Sequence, residues 1–166
     1  MVKSRFAVFG TGRYGAQIAL SLAKRGAEVY TFDIKQERAE LLKEDVALAI
    51  TLDATNKRAL KAQSVQDMEA AVVAIGENFE ATVLTTLNLL DLGIPRIIVR
   101  ANDKNQHRIL KSLGVKEILS PESEVAEVVS ERLINPSIRG FLQLPDEYEI
   151  AEIKAPPNCY GRTLKD

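Results

Sequence analysis

The chain reads as an α/β protein built on a doubly wound, six-stranded parallel sheet, and three observations carry that reading. Short apolar runs alternate with amphipathic helical stretches, the runs Ala71–Ile75 and Ile97–Val99 show no polar alternation, and the first run passes through three spaced glycines into a helix. Strands that alternate with helices of about 10 to 15 residues form parallel βαβ units. A strand with no polar side has both faces covered, as it does between two helical layers.

The first strand is Arg5–Phe9, and Gly10-Thr11-Gly12-Arg13-Tyr14-Gly15 follows it. In such a loop the first glycine makes the tight turn, the second lets a diphosphate approach without a Cβ in the way, and the third lets the helix pack against the strand. Unpaired amides at the helix start then face an anion. The second strand, Glu28–Asp33, ends on an acid placed to accept both hydroxyls of an adenosine ribose. Its charge would repel a 2′-phosphate, so NAD or ATP/ADP is expected over NADP. The competing reading is a turn with no ligand, which needs only one of the glycines.

Arg13 stands at the mouth of the helix, where its guanidinium can fork onto phosphate oxygens. This favours a terminal phosphate, hence ATP or ADP, over the internal diphosphate of NAD. As a merely solvated arginine it would sit unfavourably at the positive end of the helix dipole.

The remaining elements follow in order. Val46–Thr51 is the third strand, and Asp53-Ala54-Thr55 after it either caps the helical stretch Asn56–Ala62 or lies beside an adenine. Ala70–Ile75 is the fourth strand, and Gly76 before Glu77 is either a turn glycine or a place where backbone meets ribose or phosphate. Arg96–Arg100 is the fifth, ending in Arg100-Ala101-Asn102, with Arg100 either a phosphate contact or a surface cation. The helix Lys104–Leu113 carries His107, expected at the surface, and Glu117–Leu119 is the sixth strand. Glycines 26, 93 and 114 stand where helix C-caps belong.

Pro121 opens a helix over Glu122–Ile134 whose Val125, Val128, Val129 and Leu133 form one apolar stripe. Phe141–Leu144 and Tyr148–Ile153 alternate like exposed strands, Ala155–Asn158 reads as a linker, and Cys159–Asp166 as the start of another unit. The expected domains are therefore 1–134, a nucleotide-binding domain; 135–158, crossover strands and linker; and 159–166, the opening of a further subdomain.

Composition narrows the function. A chain of 166 residues with 46% hydrophobic content supports one good core. Its net charge of −1 gives no global pull toward nucleic acid or anionic lipid, so no nucleic-acid partner is expected. The single cysteine, Cys159, excludes a disulfide framework, and no apolar run reaches the roughly 18 residues of a membrane helix. A cytoplasmic protein is expected. The sequence shows no Ser/His/Asp set, no metal-ligand spacing and no histidine–acid pair for hydride chemistry, so it is read as a non-enzyme. An NAD-dependent oxidoreductase fragment is the alternative, with a redox-sensing transcriptional regulator third.

Residues Phe6–Gly15, Asp53–Thr55, Val72–Gly76 running into Glu80–Leu87, Arg96–Ala101 and Ser120–Glu122 resemble the RCK (TrkA-N) regulatory domain of potassium channels and transporters, and more closely the gating subunits of Ktr-type uptake systems. The resemblance spans residues 4 to 145 and implies a Rossmann-like sheet with a crossover helix. From Pro157 the chain is similar to the opening of the family's C-terminal subdomain, so it reads as a fragment. The resemblance further implies a switch whose dimers assemble into an octameric ring on the inner face of the membrane, under a membrane-embedded potassium-translocating subunit. ATP or ADP is the implied ligand, with NAD(H) or AMP as alternatives. It places Arg13 on terminal phosphates, Asp33 with Ile34 and Lys35 at the ribose, and Asp53-Ala54 with Ile75-Gly76-Glu77 along the adenosine. Arg100, Ala101 and Asn102 take the basic position after the fifth strand, and Glu122 lies near a divalent or monovalent cation held between subunits. The chain departs from the family pattern at Lys35, Leu52 and Gln106.

Overall fold

The computed structural model describes residues 4–136, 138–143, 149–153, 155, 157–161 and 163. Six strands form one sheet: β1 (Arg5–Phe9), β2 (Glu28–Asp33), β3 (Leu48–Thr51), β4 (Ala70–Val73), β5 (Ile97–Arg100) and β6 (Glu117–Leu119). Their order is β3-β2-β1-β4-β5-β6, and every neighbouring pair is parallel. The order reverses between β1 and β4, which opens a crevice at the carboxyl ends of the strands. The helices between them are α1 (Arg13–Lys24), α2 (Gln36–Glu40), α3 (Lys57–Ala62), α4 (Phe79–Asp91) and α5 (Lys104–Ser112).

The apolar runs are central because helices cover both of their sides. Ala7 and Phe9 face a core that includes Phe32, Val73, Val99, Leu60, Leu89 and Leu110, while Val8 faces a second core with Val29, Val72 and Ala19. Phe9 and Phe32 stack at 4.9 Å between ring centroids, which clamps β1 to β2 just before the crevice. Helix α4 turns three threonines inward, and two of them find acceptors on nearby carbonyls: Thr82 Oγ1 donates to Ile75 O at 3.0 Å and Thr86 Oγ1 to Thr82 O at 2.7 Å.

Two strand ends differ from the sequence reading. β4 stops at Val73 because, after Ala74 N donates to Phe9 O at 2.8 Å, the Ile75 carbonyl turns to the Thr82 hydroxyl. β3 starts at Leu48 because Val46 N bonds back to Leu42 O at 3.2 Å and is spent on the preceding turn.

The chain divides into two compact units, 1–120 and 121–166. The second holds α6 (Pro121–Ile134) and the antiparallel pair β7 (Ile138–Gln143) and β8 (Glu149–Ile153). The sequence reading places this helix in the first domain, whereas its contacts group it with β7 and β8. Helix α6 buries none of its residues; Val125, Val129 and Leu133 of the expected stripe are 60%, 47% and 76% exposed. Pro157–Cys159 forms a 3-10 turn inside the segment expected as linker and new unit. Leu144, Tyr148, Pro156, Arg162, Leu164, Lys165 and Asp166, on which parts of the strand, linker and subdomain expectations fall, lie outside the described residues.

The glycines of the β1–α1 loop make unequal demands on the fold. A β-carbon at Gly15 would stand 2.0 Å from the Gly10 carbonyl oxygen, whereas one at Gly12 would meet nothing nearer than 3.9 Å. Chemical denaturation should therefore show Gly15→Ala losing ~3 kcal/mol or failing to fold. Gly12→Ala should stay within about 1 kcal/mol of the parent.

Candidate nucleotide site

At the switch point the loop Gly10–Gly15 leaves β1 and enters α1. Gly10 adopts φ +84°, and its missing Cβ leaves room for the Ile75 backbone, whose nitrogen would otherwise lie 2.9 Å away. Gly12, the N-cap of α1, has φ −63°, which any residue adopts, and open space on its side-chain face. The protein's own packing thus has no need of glycine at position 12.

Asn56, Asn78 and Asp103 cap α3, α4 and α5 through their side chains, but α1 has no side-chain cap and no acid in its first turn. The side chain of its first residue, Arg13, is exposed and makes no hydrogen bond or ion pair among the described residues. Unmatched amides, a positive helix end and a guanidinium converge there, a donor set that fits phosphate oxygens.

Asp33 is only 5% exposed. Its Oδ2 accepts from Thr11 N at 2.7 Å and Thr11 Oγ1 at 3.0 Å, and its Oδ1 accepts from Lys35 N at 2.9 Å. The carboxylate therefore ties the glycine loop to the end of β2. Oδ1 retains a lone pair for a ligand hydroxyl. Ile34 beside it is 67% exposed and offers an apolar surface at the same edge.

A cluster of charge spans the crevice beside Gly12. Arg38 Nη2 donates to Glu77 Oε1 at 2.7 Å, Lys35 Nζ reaches Glu77 Oε2 at 3.3 Å, and Arg38 Nη1 stands 4.0 Å from Asp33 Oδ2. Hydrogen bonds from Arg38 and then Lys35 hold the Glu77 carboxyl below the usual glutamate range, and Glu77 in turn raises Arg38. Sequence reasoning missed Arg38. The signal for it is its place three residues beyond Lys35, about one helical turn along the same face.

On the other side, the Arg100 guanidinium lies over the Tyr14 ring, 5.6 Å from its centroid. It also lies against Gly76, where a β-carbon would come within 2.8 Å of Nη1. Asn102 Nδ2 donates to Gly76 O at 2.8 Å, and Asn102 N donates to Gln106 Oε1 at 2.9 Å. The group that comes close to Gly76 is thus the end of the Arg100 side chain, which can swing aside, and not a rigid backbone.

Other expected residues are placed differently. Ala54 and Ala101 are buried in the core beneath the site. Asp53 Oδ1 accepts from Thr55 N at 2.9 Å and Thr55 Oγ1 at 2.7 Å, so the pair closes a turn, and Asn56 rather than either of them caps α3. Asn88 of α4, which no sequence signal singles out, holds this turn by donating to Ala54 O and Thr55 O. Glu122 is exposed in the first turn of α6, in the second unit. His107 is half-buried on α5. Among the described residues no three His, Cys, Asp or Glu gather as a metal cluster, and no helix is long and apolar enough to cross a membrane.

The reversed strand order, the glycine loop and the cations around it define a Rossmann-like domain of the nucleotide-binding class. The family model described as the TrkA-N domain matches residues 6–121, and the chain belongs to that family. It is 32% identical over 165 residues to Ktr system potassium uptake protein C of Bacillus subtilis, covering 99% of this chain and 75% of that protein. It is equally similar, at 32% over 162 residues, to Ktr system potassium uptake protein A of the same organism, covering 98% and 73%. Among solved structures, the TrkA-N domain of the inner membrane protein ybaL from Escherichia coli superposes with a TM-score of 0.69 at 18% identity, covering 80% of this chain and 98% of that one. GsuK bound to ADP superposes with a TM-score of 0.67 at 21% identity, covering 78% and 34%.

Because Glu77 is depressed by its two cations, its carboxylate pairs should survive acidification until the pH falls below the ordinary glutamate range. Carbon-detected NMR titration of the Glu77 carboxyl should give a midpoint below that of an exposed glutamate, and Arg38→Gln should raise it toward the ordinary value. Equal midpoints in parent and variant would refute the pairing.

Proposed function

We propose that the chain is the cytoplasmic, nucleotide-binding regulatory subunit of a potassium uptake system, and that it changes shape without transforming its ligand. One observation carries the nucleotide half of this reading: Gly12 is open, conformationally ordinary and flanked by an uncapped helix start and by Arg13. The potassium half is supported by the TrkA-N family and by relatives that are named as Ktr uptake proteins. Those names describe parts of a transport system, which favours a non-enzymatic role.

The ligand is an adenine nucleotide, ATP or ADP ahead of NAD(H) and AMP. GsuK, which shares the fold, has been solved with ADP. Arg13 takes the terminal phosphates, Asp33 Oδ1 a ribose hydroxyl, and Arg100 lies ready beside Tyr14 at the β5 end of the crevice. The subunits pair and close into an octameric ring beneath a membrane-embedded potassium-translocating partner, with Glu122 contributing to a cation site between subunits. Leu84 and Leu87 of α4 and Ile109 of α5 are 42%, 37% and 43% exposed, and these apolar surfaces suit an assembled state.

Mechanism follows from differential binding, since a ligand moves such a ring only by the difference in its affinity for two shapes. If Arg13 reads the last phosphate, Arg13→Ala should erase the distinction between ATP and ADP. Titration calorimetry on the parent should find two different affinities, and on the variant nearly one. An ATP/ADP ratio that the substitution leaves unchanged would sink this role for Arg13.

A further inference from the structure

We propose that Glu77 is an internal competitor for the nucleotide's phosphates, holding Arg38 and Lys35 across the mouth of the glycine loop until a phosphate takes its place. The proposal rests on the reading that this loop binds an adenine nucleotide. Its first support is topological. Lys35 and Arg38 follow β2, Glu77 follows β4, and β1 lies between those two strands, so ion pairs from one side to the other must pass the loop that leaves β1.

The second support is position. Arg38 Nη1 is the nearest heavy atom to the open face of Gly12, at 3.9 Å, and it stands 4.0 Å from Asp33 Oδ2. A phosphate that uses the Gly12 opening comes up against this guanidinium, and a fork of N–H donors suits phosphate oxygens as well as it suits a carboxylate.

Third, the pairs are built to exchange. The Glu77 side chain is 69% exposed, with Lys35 at 45% and Arg38 at 30%. Pairs this wet are weak, so releasing them weakens binding by only about two- to five-fold. A phosphate brings more charge and more acceptor oxygens than the carboxylate it displaces. Glu77 therefore lowers affinity for phosphorylated ligands without closing the site, and it discriminates against ligands with little negative charge to spend on displacing it.

Affinities of the full chain for adenosine, ADP and ATP, measured by calorimetry at fixed salt with circular dichroism confirming the fold, test this directly. Glu77→Gln should tighten ADP and ATP by about two- to five-fold and leave adenosine unchanged. In the Lys35→Gln, Arg38→Gln background the same substitution should bring no gain, because the cations it would release are gone. An unchanged ATP affinity in Glu77→Gln, an equal shift for adenosine, or a gain that persists without the two cations would each overturn the proposal. A parent chain that binds none of the three ligands would instead overturn the nucleotide reading, and this inference with it.

Discussion

The approach of α1 to the strand it follows is set by an absent atom. With hydrogen alone at Gly15, the helix settles against the Gly10 carbonyl and the Ala74 side chain, which lie 2.0 Å and 3.1 Å from where a Cβ would be. That closeness brings β1, β4 and the start of α1 to one point. Beside it Gly10 takes a positive φ against Ile75, and Arg100, at the end of β5, lies over the Tyr14 ring. Asp33 completes the constraint from the β2 side by taking both the amide and the hydroxyl of Thr11. The loop is thus held from three strands before any ligand arrives, and its ordering entropy belongs to folding rather than to binding.

Electrostatics at this edge differ from those of the molecule as a whole. The net charge of −1 predicts no field worth steering by, yet Arg13, Lys35, Arg38 and Arg100 all project from strand ends, loops or helix starts around one crevice. Two acids temper them in different ways. Asp33 is buried and structural, tied to the loop through two hydrogen bonds from Thr11 and to the end of β2 through one from Lys35 N. Glu77 is exposed and committed only to other side chains, so it is the acid that an incoming anion can replace.

How much of this is legible in the sequence depends on whether the cause is local. The Gly10–Gly15 loop, the six strands and the acid at Asp33 each leave a local mark in glycine spacing, apolar runs or chain position. The ends of β3 and β4 do not, because they depend on where one carbonyl and one amide find partners: Ile75 O on Thr82, and Val46 N on Leu42. Arg38 is hidden because α2 is five residues long, and only Ala39 of it is buried, too little to set a helical period. Spacing alone leaves Gly76 open to a ligand. The structure fills that space with Arg100, a long-range contact that no spacing encodes.

A weak exchange at each site is enough to drive a switch if many sites act together. Moving a two-state equilibrium from 1:99 to 99:1 takes about a 10⁴-fold difference in affinity, far beyond one exposed ion pair. In a concerted octamer of the kind proposed, a preference of about threefold per subunit multiplies over the ring to nearly 10⁴. Each subunit can then keep a soft, rapidly exchanging latch, and the assembly still answers decisively. A single tight site would reach the same difference only by holding its nucleotide so strongly that release, and with it the return of the switch, would become slow. The exposed Glu77 pairs suit the first arrangement if they form in one ring shape and not in the other, so that sensitivity comes from the number of subunits and reversibility from the weakness of each contact.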